Sequence, residues 1–209
     1  MNIKELKEKF KDVLIIDAQS INLLDNPDYF RRQLSDWKKK KWLIELRKGM
    51  YVINDLYFKE KLSLLYLANQ IYQPSYISLE YALSEYELIP EKVNVITSIS
   101  TRKTSYFEND FGMFKYTKIK NNCFFGYRMI VIDVQKVLYA TKEKALLDYL
   151  YINSHIDNND AFDESRIQNL ESLNWKKLYE YGSKFKNAKL MRTVKLLMKY
   201  FKEEGYKSL

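Results

Sequence analysis

The 209-residue sequence predicts an α+β protein made of a small N-terminal unit and a larger C-terminal one. Three observations point there. Apolar residues recur at helical spacing along most of the chain, but between 93 and 134 they change to short alternating runs separated by turn pairs. Only 5 Gly and 3 Pro occur, which favours long regular elements over a loop-rich or repeat scaffold. A content of 46% hydrophobic and 15% aromatic residues fills a proper core and excludes disorder.

Ile3, Leu6 and Phe10 fall on one face of a helix over residues 2–11, and Val13 to Ile16 is a brief apolar run. A second short helix fits Ala18–Leu24, and Asp25-Asn26-Pro27 is a turn. Pro27 opens a third helix, at a position where a missing N–H costs nothing, and this helix runs to about Lys40. Trp42 to Ile53 reads as two short strands turning at Lys48-Gly49, with Asn54-Asp55 ending the unit. Leu56 to Tyr72 is a connecting helix with Leu62, Leu65, Tyr66 and Asn69 on one side, so the expected division is 1–57 and 58–209.

In the second unit, Tyr76-Ile77-Ser78 leads into a helix with Ser78 as cap and Pro90 beyond its end. Strands follow at Val93–Ser100, Tyr106–Phe107, Met113–Ile119, Phe124–Tyr127 and Met129–Val134, with turns at Asn109-Asp110 and Asn121-Asn122. Thr141 caps a helix to Ile152, His155–Asp160 is a loop, and the remainder is a helical tail.

Several function classes lose support at once. A single cysteine, Cys123, allows no internal disulfide and no cysteine zinc site, and a single histidine, His155, allows no histidine cluster. Asp157, Asp160, Asp163 and Glu164 lack the glycine of a calcium loop and read as a solvated loop and helix start. Glu143 and Asp148 share a helix with Lys142 and Lys144, where ion pairing accounts for them. Thr97-Ser98 and the run Thr101–Ser105 have no glycines to cradle a phosphate, so a turn with solvated Arg102 and Lys103 is favoured, with anion contact by these two as the alternative. No catalytic constellation, metal site or cofactor is expected. The charged N-terminus and the absence of any apolar run near ~18 residues predict a cytoplasmic protein with no membrane partner.

The formal net charge is +8, which AT-rich coding DNA alone can produce, so placement has to decide. On a wheel of the helix Pro27–Lys40, Phe30, Leu34 and Trp37 form a narrow apolar stripe. Arg32, Ser35 and Lys39 lie opposite, flanked by Arg31 and Lys38, and the hairpin tip that follows carries Arg47 and Lys48. Between Asp28 and Lys48 there are eight Lys or Arg against three acids. A helix with a basic, hydroxyl-bearing face followed by a basic hairpin is the arrangement of a winged helix-turn-helix, whose helix reads base edges while the wing holds phosphate. A lysine run at a helix end also complements the helix dipole, but that does not explain the hairpin tip. Farther on, Lys184 to Lys202 reads as one basic amphipathic helix over Val194, Leu197, Met198 and Phe201. Its Lys189, Arg192 and Lys195 are either a solvated face or additional anion contacts.

The chain resembles the AbiEi family of antitoxins from type IV toxin–antitoxin systems. The first stretch is Leu34-Ser35-Asp36-Trp37 followed by Trp42-Leu43-Ile44-Glu45-Leu46-Arg47-Lys48-Gly49-Met50-Tyr51-Val52, with Lys41 and Trp42 where a Lys-Gly pair is commoner. More specific are Tyr76-Ile77-Ser78-Leu79-Glu80-Tyr81-Ala82-Leu83, Leu88-Ile89-Pro90-Glu91, Ile96-Thr97-Ser98, Thr101-Arg102-Lys103-Thr104 and Phe107-Glu108-Asn109. Phe111-Gly112, Phe114-Lys115-Tyr116, Phe124-Phe125-Gly126-Tyr127 and Ala140-Thr141-Lys142-Glu143-Lys144-Ala145-Leu146-Leu147-Asp148 complete the match over about Leu34–Leu150. The resemblance implies an N-terminal winged helix-turn-helix and a C-terminal antitoxin domain. It implies repression of the protein's own operon through inverted repeats in double-stranded DNA, and antagonism of a nucleotidyltransferase-like toxin without a stable complex. Two readings compete with it: a stand-alone regulator with no toxin, and a nucleic-acid-processing enzyme carrying a targeting module. The missing carboxylate or histidine cluster counts against the second.

Overall fold

Asn2 and Glu5 start the chain's first helix by capping each other: the Asn2 side chain accepts the Glu5 N–H at 3.0 Å and Glu5 accepts the Asn2 N–H at 3.0 Å. The computed structural model describes residues 2–11, 13–22, 24, 26–55 and 62–207. Helix α1 (Ile3–Lys9) is followed by α2 (Ala18–Asn22), α3 (Pro27–Lys39) and a hairpin of β1 (Leu43–Arg47) and β2 (Met50–Ile53). Between α1 and α2 the chain passes beside the hairpin, where Ile16 and Tyr51 exchange two backbone hydrogen bonds of 2.8 Å in an antiparallel bridge. Asn26 caps α3 by accepting the Tyr29 N–H, and Pro27 is its first residue. The helix stops with Lys41 in the left-handed region (φ 55°) and the Trp42 N–H donating 2.8 Å to the Trp37 carbonyl. Glycine is the usual residue for that stop. The apolar stripe is where the helical period puts it: Phe30 and Trp37 are buried, their ring centroids 4.9 Å apart, and Phe10 of α1 closes on Phe30 at 5.4 Å.

The second unit is a six-stranded mixed sheet in the order β5–β6–β4–β3–β8–β7. Its strands are β3 (Ser75–Ile77), β4 (Ile96–Ser100), β5 (Ser105–Asn109), β6 (Gly112–Lys118), β7 (Tyr127–Ile132) and β8 (Gln135–Ala140). Two antiparallel hairpins, β5–β6 and β7–β8, flank a central antiparallel pair, β3–β4, and join it through parallel contacts. Helix α4 (Leu64–Ile71) packs on β3, β4 and β8, and its buried Asn69 bonds the Leu138 backbone N–H and carbonyl of β8. Helices α5 (Leu79–Glu85), α6 (Lys142–Ile152), α7 (Asn159–Glu164), α8 (Trp175–Lys184) and α9 (Ala188–Lys207) complete the chain. One continuous apolar core runs through both units.

The mixed α+β class holds, and several expected elements change. The central strands β3 and β8 were not expected; 93–95 and 124–126 are irregular, and one strand, β7, replaces the two expected between Phe124 and Val134. The expected connecting helix is helical from Leu64; residues 56–61, with the expected unit boundary between Tyr57 and Phe58, lie outside the described residues. The basic helix expected over Lys184–Lys202 is broken: α8 ends at Lys184, Lys186 adopts φ 50°, and α9 begins at Ala188.

Ser78 does not cap α5 with its hydroxyl. That hydroxyl donates 2.8 Å to Asp148 Oδ2, and Thr97 on β4 does the capping, accepting the Tyr81 N–H at 3.0 Å while donating 2.6 Å to the Ser78 carbonyl. Asp148 belongs to a buried polar knot. Its carboxylate accepts from Tyr76 Oη at 3.0 Å and from Lys144 Nζ, and Lys144 also donates 2.8 Å to Tyr76 Oη. Both charged side chains are 0% exposed. The Lys144 ammonium sits 4.8 Å from the Phe185 ring centroid and 5.1 Å from that of Phe125. Gly126 makes room for the lysine stem: at φ +77°, a Cβ there would lie 3.0 Å from Lys144 Cγ and Cδ and from Tyr181. Gly126→Ala combines left-handed strain with this overlap, so it is expected to cost about 2 kcal/mol or more. Thermal unfolding checks this, with a Tm drop of roughly 5 °C expected for a chain of this size; an unchanged Tm would show that the lysine stem yields freely.

Candidate nucleic-acid interface

The helical period that buries Phe30 and Trp37 turns Arg32, Ser35 and Lys39 outward, and all three are exposed on α3. Two acids share that side of the helix. Arg31 pairs with Asp28 at 2.8 Å and Lys40 pairs with Asp36 at 2.8 Å, so each acid is locally neutralised. Arg31 also bonds Asn22 of α2 at 2.6 Å. Lys38 reaches across to the hairpin, pairing with Glu45 at 2.8 Å; that bond raises the ammonium pKa against a smaller opposing effect of burial. Arg31 and Lys38, expected as contact residues, therefore tie α3 to its neighbours. Arg32 and Lys39 enter no ion pair among the described residues, and the same holds for the exposed Lys41 and Lys48.

At the hairpin turn the two expected tip residues part company. Lys48 projects into solvent beside Gly49, whose φ of +79° makes the turn. Arg47 does not share the tip. It is half-buried, its Nε donates 2.6 Å to the Ile71 carbonyl at the end of α4, and Nη1 donates 3.3 Å to the Lys48 carbonyl. A guanidinium at a helix C-terminus satisfies an orphan carbonyl and complements the dipole. Asn109 makes a second tie between the units, its Nδ2 donating 3.1 Å to the Leu46 carbonyl. The wing expectation therefore rests on Lys48, and Arg47 is an anchor between the units.

Elsewhere, Arg102 lies on the loop between β4 and β5, stacked 4.2 Å over the Tyr72 ring with Nη1 donating 3.2 Å to the Gln73 carbonyl. Arg102 is exposed in a bend between two strands, as the favoured reading of a solvated turn expected, and these protein contacts orient it there. Lys103 is exposed, and its carbonyl accepts from Tyr72 Oη at 2.8 Å. On α9, Lys189 pairs with Asp157 at 2.9 Å, while Arg192 and Lys195 are exposed and unpaired among the described residues. Buried Val194 and Leu197 lie on the inner face of that helix.

The sequence missed the depth of the ion pairs in the second unit. Glu143 pairs with Lys177 of α8 at 2.8 Å, not with its own helix, and the Lys144–Asp148 pair is fully buried. Cys123 is buried in a short 3₁₀ turn, Asn121–Cys123, and burial pushes its thiol pKa up, the opposite of what a nucleophile requires. His155 is exposed. Among the described residues no three His, Cys, Asp or Glu side chains are grouped to hold a metal ion, and no helix is long and apolar enough to cross a membrane. Set against known proteins, the chain matches no family model and no curated sequence.

Proposed function

We propose that this protein is a non-enzymatic, DNA-binding transcriptional regulator that acts in the cytoplasm, with residues α1 to β2 forming a winged helix-turn-helix. One observation carries the reading. The order helix, bridge strand, helix, helix, hairpin, with Ile16 bridged to Tyr51 of the hairpin's second strand, leaves one face of α3 free. That face, the helix stop and the hairpin turn carry Arg32, Lys39, Lys41 and Lys48, none in an ion pair among the described residues. In such a module the third helix enters the major groove and the hairpin lies on the backbone. The resemblance of residues 34–150 to the AbiEi antitoxins supports the second half of the proposal. In that reading the protein represses its own operon at inverted repeats and opposes a nucleotidyltransferase-like toxin without forming a stable complex with it.

The test is binding of the purified chain to the DNA upstream of its own gene, followed across a salt series. With Lys39, Lys41 and Lys48 engaging phosphate and Arg32 on base edges, the slope of log K against log salt is about −3. Preference for the upstream DNA over random duplex, with such a slope, is the expected result. Equal affinity for both, or a slope near zero, would overturn the reading. Growth rescue when the protein is co-expressed with a neighbouring nucleotidyltransferase separates the antitoxin from a stand-alone regulator.

A further inference from the structure

A cleft of about 450 Å³ opens where the first unit meets the second. Val13, Asp17 and Arg47 line it from one side, and Tyr66, Gln70, Gln73 and Arg102 line it from the other. Its volume falls within the range of small-molecule sites. What distinguishes it is how its two guanidinium groups are held.

Many cations elsewhere are neutralised by a carboxylate, as in Arg31–Asp28, Lys38–Glu45, Lys177–Glu143 and Arg166–Glu91. Arg47 and Arg102 are fixed by neutral acceptors instead. Arg47 is bonded to the carbonyls of Ile71 and Lys48, and Arg102 to the carbonyl of Gln73 while stacked on Tyr72. Neither guanidinium enters an ion pair among the described residues, and both have N–H donors to spare; Arg47 is half-buried, and Arg102, though exposed, is oriented by its bond and its stack. Pre-ordered guanidinium forks of this kind suit phosphate oxygens. A single carboxylate faces them among the described lining residues, Asp17, and one of its oxygens is occupied by the Ser20 N–H at 2.8 Å and hydroxyl at 2.9 Å. Its other oxygen is an acceptor suited to a sugar hydroxyl. Gln73 Nε2 donates 2.7 Å to Gln70 Oε1, which leaves the Gln70 amide N–H groups and the Gln73 amide oxygen as a donor–acceptor pair. The half-buried ring of Tyr66 provides a stacking surface beside them.

We propose that this cleft binds a mononucleotide. The phosphates are held by Arg47 and Arg102, the ribose hydroxyls by Asp17, and the base by Tyr66, Gln70 and Gln73. A duplex backbone is a poor fit, because the lining is concave and one wall is the apolar segment from Val13 to Ile15. Occupancy would act on Arg47, which anchors the residue next to Lys48 on the hairpin turn, so the ligand would influence how that turn is presented.

Isothermal titration calorimetry of the full chain, without DNA, tests this with ATP, GTP, CTP, UTP, their monophosphates and pyrophosphate. At least one nucleotide is expected to bind with Kd between about 10 μM and 1 mM. Arg102→Ala should weaken it about tenfold or more, and Arg102→Lys, which keeps charge but loses the fork, by less. Lys136→Ala, at an exposed position on β8, should leave the affinity within twofold. Circular dichroism verifies that each variant is folded. The proposal is overturned if no nucleotide binds with Kd below about 1 mM, if Arg102→Ala binds as wild type does, or if pyrophosphate binds as tightly as every nucleotide. Because DNA is absent from the experiment, its failure leaves the DNA-binding reading untouched.

Discussion

Lys144→Met is expected to destabilise the protein by about 3–5 kcal/mol, because it leaves Asp148 as an uncompensated charge in the core. The carboxylate would keep two donors, the hydroxyls of Tyr76 and Ser78, and lose the ammonium of Lys144, its one counter-ion among the described residues. For a chain of this length the corresponding Tm loss is on the order of 10 °C. The pH dependence of the variant has a definite sign. Burial already pushes the Asp148 carboxyl above the usual carboxylate range, and the charge of Lys144 pulls it back. Removing the lysine raises that pKa further. A folded-state pKa above the unfolded value contributes stability at low pH that is lost as pH rises through the folded value. The gap between Lys144→Met and wild type should therefore be smaller at pH 5 than at pH 8. Asp148→Leu added to Lys144→Met removes the stranded charge at the cost of two hydroxyls without an acceptor, so the double variant should be more stable than Lys144→Met alone. A double-variant loss equal to the sum of the two single losses would show that the charges do not stabilise one another.

Some of this molecule is legible in its sequence and some is not, and the difference follows from how local each feature is. A 3.6-residue period over Phe30, Leu34 and Trp37 specifies the inner face of α3 whatever surrounds it, so the exposure of Arg32, Ser35 and Lys39 follows from local geometry. Lys48-Gly49 marks its hairpin because the backbone there needs a positive φ. The β7–β8 turn lacks that mark: Asp133 takes φ 53° without a glycine, and Val134 follows it. β3 is only three residues long, too short to show alternation, and its place beside β8 depends on residues more than sixty positions away. Burial of charge is less legible still. Lys144 and Asp148 have the i, i+4 spacing of an ordinary surface pair, and only the packing of Tyr76, Phe125 and Phe185 around them reveals the difference. Arg47 is a similar case. Its neighbour in sequence lies at a solvent-exposed turn, and the carbonyl that captures its own side chain is 24 residues away.

Changing Arg32, Lys39 and Lys48 together to Ala is expected to reduce affinity for the upstream DNA by about a hundredfold or more, since each removes an exposed cation with no competing carboxylate among the described residues. The single variants should differ in kind. Arg32 projects from the middle of the exposed face of α3, where a guanidinium reaches the base edges of guanine, so Arg32→Ala should cost about 1–3 kcal/mol and relax preference at particular base pairs. Lys48, at the hairpin turn, meets the backbone, so Lys48→Ala should weaken specific and random DNA alike and reduce the salt slope by about one. Arg31→Ala serves as the comparison. Its guanidinium is already engaged by Asp28 and Asn22, so its loss should matter less than that of Arg32 despite adjacent positions and equal charge. None of the three targeted side chains is buried, and circular dichroism before each titration checks that folding is intact. Anisotropy titrations with a panel of operator variants then decide the placement. If Arg32→Ala lowers affinity for every sequence by the same factor, Arg32 grips phosphate and α3 does not read the groove. If the triple variant binds within threefold of wild type, the DNA-binding surface lies elsewhere, and the exposed Arg192 and Lys195 of α9 become the next residues to change.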